Sequence, residues 1–483
     1  MRMIKPADHL GFTLKSSEIL GTVLIPKYYN PEIQSDLDVL AKTHYLLSVG
    51  ELEDKGEIEA STGHEIGKLA YGTGSIPFVR TSDISNWELK IDVKQGVSKE
   101  IYAEYDKVQD VQPGDVLFVR DGTYLIGEVC LVSDHDLPLL YQSHIIKFRP
   151  KQNGFLSGPL LLAALSAPIV RRQIRAKQFT ADIIDTIGNR YRELILPIPK
   201  NQALAAKIEH EVQELTKERA QLRETLKRFP YLAQGQIKSL SAPLPKEKEW
   251  KSTDERNLGF IFQEKDIYNN IFLPRYYAPL VNSDLNELKK SHMLVTIGEL
   301  VKQDVVASDT GIEVGKMAYG TGPIPFIRTS DISNWELKMG PKQCVSEELY
   351  EKFKGKMDVQ AEDIFVVRDG TYLVGVSCIL TKQDTKILYC GGLYKLRVKR
   401  RETIDPYLLL VLLNTPIVRN QMKAKQFTRD IIDTLGKRLF EIVLPIPKNT
   451  ELCKEIARKA RETVERRTVL RKRVKEIASE LGS

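Results

Sequence analysis

Two short arginine-bearing stretches stand out for the chemistry their side chains could perform. Arg80-Thr81-Ser82-Asp83 follows the apolar run Ile76-Pro77-Phe78-Val79, and Arg120-Asp121-Gly122-Thr123-Tyr124 follows Val116-Leu117-Phe118-Val119. Each sets a guanidinium and hydroxyls just past an expected strand, where side chains project into solvent. A planar guanidinium matches a guanine edge or a phosphate, and hydroxyls suit phosphate oxygens or base edges. The same residues admit a second reading, in which Arg80 with Asp83 and Arg120 with Asp121 are internal ion pairs closing their turns. Both stretches are written twice. Arg328, Thr329 and Ser330 repeat the first, and Arg368, Thr371 and Tyr372 repeat the second, each 248 residues on.

Further candidates lie around these loops. Lys68 in GHEIGK and Lys316 in GIEVGK sit on glycine-flanked turns suited to phosphate contact. Gln142 and His144 belong to Gln142-Ser143-His144, read as part of a strand, and Gln178 and Gln426 to the repeated AKQFT. The AKQFT segment precedes an expected helical run, so Thr180 is also a candidate N-cap, with Lys177 a further contact. Phe78, Ile84 and Trp87 are expected in the core.

The elements that would hold these loops come in two copies. The offset of 248 runs the length of the chain without a gap: residues 67–90 match 315–338 at 21 of 24 positions, and LPIPK closes both copies. A period this long implies tandem domains, not a solenoid of short units. Within each copy, short β-rich runs punctuated by Gly and Pro lead to a helical stretch with a Pro in mid-run. A last strand follows, stopped by prolines. The fold class is α+β. From residue 201 to 229 there is neither Gly nor Pro, and Leu204, Ile208, Val212, Leu215, Leu222, Leu226 and Phe229 step by threes and fours, with Arg219 the one gap. In the second copy the seam runs Leu452, Ile456, Ala460, Thr463, Leu470, Val474, Ile477, Leu481, with Arg467 in the gap. These are two long amphipathic helices expected to pair as an antiparallel coiled coil, since neither would be stable alone. The alternative folds each helix onto its own domain. The expected organisation is a first globular domain (1–200), a long helix (201–229), a polar, proline-bearing linker (230–256), a second domain (257–448) and a second helix (449–483), an arrangement with a pseudo-two-fold.

Bulk properties narrow the function. The chain has 483 residues, 42% hydrophobic and 28% charged, with a net charge of +7. No run approaches the roughly 18–20 apolar residues of a membrane span, and the start has no signal-type apolar stretch. The five cysteines are scattered with no CxxC pair, which fits a reducing cytoplasm and no structural zinc. Enzyme motifs fail on inspection. GHEIGK has three residues between its glycines where a phosphate-binding P-loop needs four, and Leu69 follows the lysine where Ser or Thr is required. YGTG faintly suggests a methyl-donor loop, yet the Asn/Asp-Pro-Pro-aromatic tetrapeptide of an adenine methyltransferase is missing. Asp115 and Glu128 could be forced into a nuclease pattern, but Val376 stands where the second copy needs Glu. No HxH or HExxH metal pattern occurs among the seven histidines.

The stretches IPFVRTSDISNWE and GDVLFVRDGTYLIG, the segment ending in LPIPK and the long helix after each together resemble the specificity (S) subunit of type I restriction-modification enzymes, over essentially the whole chain. The resemblance implies a non-catalytic DNA-binding subunit with two target recognition domains, each binding one half of a bipartite site in double-stranded DNA. It implies that the paired helices gauge the unread spacer and dock two adenine methyltransferase subunits. Those partners bring S-adenosylmethionine, no cofactor being held by this chain, and flip the target adenine. Motor and nuclease subunits join to form the restriction complex. Recognition domains in that family are often dissimilar, whereas here they are close copies, which implies identical or nearly identical half-sites in an inverted repeat.

The copies differ where it could matter: Gln142-Ser143-His144 becomes Cys390-Gly391-Gly392, Glu128 becomes Val376 and Ala181 becomes Arg429. Two other functions stay open on the residues alone. One is a self-sufficient metal-dependent nuclease; the other is a duplicated scaffold that holds two protein ligands.

Overall fold

The computed structural model describes residues 12–19, 23–91, 93, 95–122, 124–181, 184–245, 261, 263–268, 271–277, 279–370, 373–429 and 432–482. Apolar runs of β-branched and aromatic residues build its sheets. In the first copy Ile58–Thr62, Ile145–Pro150, Val116–Val119 and Val129–Leu131 lie side by side in that order, all antiparallel. Val116, Leu117, Phe118 and Val119 are all buried, as a central strand covered on both faces requires. Ile76–Val79 sits between Gly96–Val97, antiparallel, and Leu140–Tyr141, parallel. Both arginine stretches therefore begin where a buried strand ends. The second copy repeats these sheets with Val306–Thr310, Leu393–Val398, Ile364–Val367 and Ser377–Ile379, and with Ile324–Ile327 between Gln343–Val345 and Leu388–Tyr389.

The LPIPK segments are strands that carry prolines rather than being stopped by them. Ile195–Pro199 pairs with His44–Ser48, and Val443–Pro447 with His292–Thr296. Alternate residues of a strand turn their N–H groups to the same edge, so Pro197 and Pro199 concentrate their missing donors on one side of a two-stranded ribbon. The Pro inside each expected helical run splits it in two. Gly158–Ser166 ends before Pro168–Lys177, and Pro406–Leu413 before Pro416–Lys425, the proline opening the second helix at a position whose N–H has no partner to lose.

By internal contacts the chain forms two units, Met1–Leu89 with Gln95–Glu218 and Lys472–Ser483, and Lys90–Lys94 with Arg219–Arg471. The long helices are Gln202–Ala233, which carries Pro230 inside it, and Thr450–Glu480, and each contributes to both units. Within the second unit Leu226 and Phe229 of the first helix join one core with Ile297, Trp335, Ile456 and Ala460. The helix that follows the first copy thus ends in the core of the unit built around the second. The two long helices pair with each other, as their seams predict, and in this unit the pair also packs into the domain core. Along the expected seams Ile208, Val212, Leu215, Leu226 and Phe229 are buried, as are Ile456, Ala460, Thr463, Leu470, Val474, Ile477 and Leu481; Leu204 is exposed.

The gaps in the seams are filled by buried charge. Arg219 and Arg467 are each 1% exposed. Each donates from Nη1 to the other's main-chain carbonyl, 3.3 Å both ways, and both donate from Nη2 to Oε1 of Glu336, at 2.5 and 3.1 Å. One turn on, Arg471 donates to the Leu337 carbonyl at 2.9 Å and to Asp384 at 2.6 Å. In the first unit Glu211 accepts Nη2 of Arg473 at 2.8 Å. Residue numbers rise along one helix as they fall along the other, so the pair is antiparallel. A polar residue on an otherwise apolar seam fixes the register of two helices, because any slip strands a buried charge.

Candidate functional site

Arg80 ends its strand, and its backbone N–H donates to the Asp83 carboxylate at 2.9 Å, closing the turn Thr81–Asp83. Asp83 is buried while Thr81 and Ser82 are half-exposed. The Arg80 guanidinium donates from Nε to Gln142 at 3.4 Å and lies 6.0 Å from the centre of the Tyr71 ring. The second copy reproduces the turn, Arg328 N–H donating to Asp331 at 2.8 Å, and burial pushes the Asp331 carboxyl above its ordinary range.

For Arg120 the internal pair forms. Nε and Nη2 donate to one oxygen of Asp121 at 3.1 and 2.9 Å. Asp121 also binds Nδ1 of His144, 2.8 Å away, and accepts from the Thr186 hydroxyl. Burial works to raise its pKa, but hydrogen bonds from His144, Arg120 and Thr186 outweigh it and hold the carboxylate below its ordinary value. The same bond raises the pKa of His144. The guanidinium is held in one orientation, with Nη1 left without a protein partner among the described residues, so that a structural pair doubles as a preset donor. In the second copy Arg368 donates to Asp369 at 2.8 Å and Thr434 to the same carboxylate at 2.5 Å, but Gly392 replaces the histidine.

Gln142-Ser143-His144 is a turn between Leu140–Tyr141 and Ile145–Pro150, not a strand. Its organiser is Glu65, which accepts from the Ser143 hydroxyl and from Gln142 at 3.4 Å, with His144 Nε2 3.9 Å away. Main-chain bonds tie the loops together: Arg120 N–H donates to the His144 carbonyl and Gly122 N–H to the Asp185 carbonyl, both at 2.9 Å. A Cβ placed on Gly122 would lie 3.6 Å from the Thr81 hydroxyl. The Arg80 turn, the Arg120 loop and the 142–144 turn therefore share one surface, and the segment holding Gln178 adjoins it. That segment is a hairpin, Phe179–Ala181 with Ile184–Thr186, so Thr180 caps no helix; its hydroxyl donates to Asp185 at 2.6 Å. Alternating Phe, Thr, Ile and Thr side chains favour extended backbone over helix here. Gln178 accepts from Arg175 at 2.8 Å, Lys177 donates to Glu193 at 2.8 Å, and the Gln426 carbonyl accepts from Arg275 at 2.5 Å.

Lys68 and Lys316 are exposed on their turns, beside the almost fully exposed Leu69 and Met317. Gly63 permits the close approach that brings this loop to the 142–144 turn, since a Cβ there would sit 2.2 Å from the Tyr141 carbonyl oxygen. Tyr124 is 45% exposed, and its carbonyl accepts from Arg175 at 3.2 Å. Thr123, Thr371 and Tyr372 lie outside the described residues. Phe78, Ile84 and Trp87 are in the core, Trp87 donating from Nε1 to Ser166 at 2.7 Å. The carboxylates weighed for nuclease chemistry are engaged in ion pairs: Asp115 accepts both arms of Arg149 at 2.8 Å, and Glu128 faces Arg171 at 3.7 Å. Among the described residues no three His, Cys, Asp or Glu side chains gather as a metal site, and no helix is long and apolar enough to cross a membrane. Reasoning from sequence singled out neither Glu65 nor Asp185; their only signal was that each recurs, as Glu313 and Asp433.

No protein family and no curated protein matches the chain. Among solved structures it is similar to a type I restriction-modification S subunit from M. genitalium, with 13% identity and a TM-score of 0.32 over 90% of this chain and 95% of that one. It is similar to a chain from a structure on complex assembly and conformational transition of the type I R-M system, with 14% identity and a TM-score of 0.27 over 91% and 97%. The HsdS subunit of Thermoanaerobacter tengcongensis shows 15% identity and a TM-score of 0.26 over 92% of both chains.

Proposed function

We propose that this chain is the specificity subunit of a type I restriction-modification complex, each copy reading one half of a bipartite site in double-stranded DNA. The observation that carries the proposal is the repeated convergence of a turn-closing arginine (Arg80, Arg328), an aspartate-held arginine (Arg120, Arg368) and a third turn on one surface of each copy. Arginines held in a fixed orientation beside hydroxyls suit base edges and phosphates. Lys68, Lys316 and Tyr124 flank the reading residues as backbone contacts. The antiparallel helices, with register fixed by buried charge, suit a spacer of constant length. Their outward faces dock two adenine methyltransferase subunits, which supply S-adenosylmethionine and the catalytic residues; motor and nuclease subunits complete the assembly.

The test is duplex binding at graded salt, with and without the methyltransferase subunits. Alone, the chain binds weakly, with affinity falling steeply as salt rises. With its partners it selects one site, and Arg80→Ala with Arg328→Ala abolishes that selection. Binding to no duplex at any salt, with or without partners, refutes the proposal in favour of a protein scaffold.

A further inference from the structure

The reading surfaces of the two copies are the same residue for residue at Arg80/Arg328, Thr81/Thr329, Ser82/Ser330, Arg120/Arg368, Asp121/Asp369 and Glu65/Glu313. The clear exception is the turn 142–144 against 390–392, and it changes what two carboxylates do. In the first copy Ser143 and Gln142 occupy Glu65, and His144 occupies Asp121. In the second, Glu313 accepts only the main-chain N–H of Gly391 from this turn, at 3.2 Å, and among the described residues none takes the place of the histidine on Asp369. The Asp121 side chain is 9% exposed and that of Asp369 26%. The first copy covers Asp121 with an imidazole and bonds the exposed Glu65 with a hydroxyl and an amide; the second leaves Asp369 more open, beside a pair of glycines.

We infer that the two copies read different bases at one position, set by residues 142–144 against 390–392, and that the second selects cytosine there. The inference rests on the DNA-reading role proposed above. A carboxylate accepts from the N4 amino group of cytosine, whereas the N7 acceptor of a purine meets it with like charge. In the first copy His144 is bonded through Nδ1 to Asp121, and the Nε2–H of its charged form is the donor left to meet a guanine edge. The recognition site is then an imperfect inverted repeat, although the two heads are almost identical in sequence.

The experiment is sequencing of duplexes selected from a random library by the chain with its methyltransferase subunits bound. Three proteins are compared: the unaltered chain, S143G/H144G, and C390Q/G391S/G392H. The first variant only removes side chains and so has room. In the second, a Cβ on Gly391 would lie 2.7 Å from the mobile Glu313 carboxylate, and on Gly392 3.0 Å from a Thr329 methyl, so folding is checked by its thermal midpoint. The unaltered chain selects half-sites that differ at one position, with cytosine in the second. S143G/H144G brings cytosine into the first half-site, and the graft removes it from the second. Each change moves relative affinity by about 5- to 150-fold, the usual span for one base pair. Identical half-sites for the unaltered chain, or unchanged half-sites in S143G/H144G, overturn the inference while leaving DNA reading intact. Enrichment of no bipartite site overturns the proposed function, and this inference with it.

Discussion

Glu336→Ala should be among the most damaging single substitutions in the chain, although Glu336 lies in a segment first noticed for its arginine. Its Oε1 receives the Nη2 groups of two arginines that are each 1% exposed, and Glu336 itself is 4% exposed. Removing one member of a buried ion pair costs about 3–5 kcal/mol, because the remaining charge stays buried. For a unit of roughly 250 residues each kcal/mol lowers the midpoint by about 2–4 °C, so a fall of roughly 6–20 °C is expected. Glu336→Gln keeps an acceptor and should fall between Ala and wild type. Glu462→Ala breaks a pair whose side chains are 60% and 58% exposed, Arg458 with Glu462, and should change stability by less than about 1 kcal/mol. Thermal unfolding followed by calorimetry and tryptophan fluorescence is the assay. Trp335, adjacent in sequence, stacks on Phe229 at 6.3 Å and reports from the same core. A Glu336→Ala midpoint no lower than that of Glu462→Ala would refute the idea that buried charge holds the helices in register.

Three further outcomes are expected. His144 should titrate above its ordinary 6.5 in an NMR titration and return towards it in Asp121→Asn. Its charged form stabilises the first unit fully below about pH 6.5, and that contribution is lost as pH rises through the raised pKa, so the stability gap between wild type and His144→Ala narrows from pH 6 to pH 9. Asp115→Ala should cost about 2–3 kcal/mol in denaturant unfolding, less than a fully buried pair because the Arg149 side chain is 24% exposed; a catalytic carboxylate would instead lose activity with stability unchanged. Gly63→Ala and Gly311→Ala place a Cβ 2.2 and 2.3 Å from backbone oxygens and should each cost about 1–3 kcal/mol by the same measurement.

Much of the fold was legible because it is periodic. Val116 to Val119 read as a strand and proved a buried one, and the steps of three and four from Ile208 to Phe229 marked a helix with a buried seam. The arginine gaps were visible too, but their meaning was not. Glu336, which fills them, lies 117 residues from Arg219 and 131 from Arg467, and only tertiary packing brings the three together. AKQFTADIIDT misled because Ala, Lys and Gln favour helix while the Thr and Ile that follow pair across a tight hairpin. At the site, the arginines could be nominated from their place after a strand. That Arg80 leaves its carboxylate to the main chain, while Arg120 keeps one for its guanidinium, depends on side-chain direction, which sequence does not carry.

The central claim is that a duplicated loop cluster reads a duplicated site. Its most direct test is a map of N6-methyladenine in a methylation-free host that expresses the chain together with its adenine methyltransferase partner. The account predicts methylation in a bipartite, near-palindromic sequence with one fixed gap. A stable complex that methylates nothing, or methylates a single unbroken site, would contradict it.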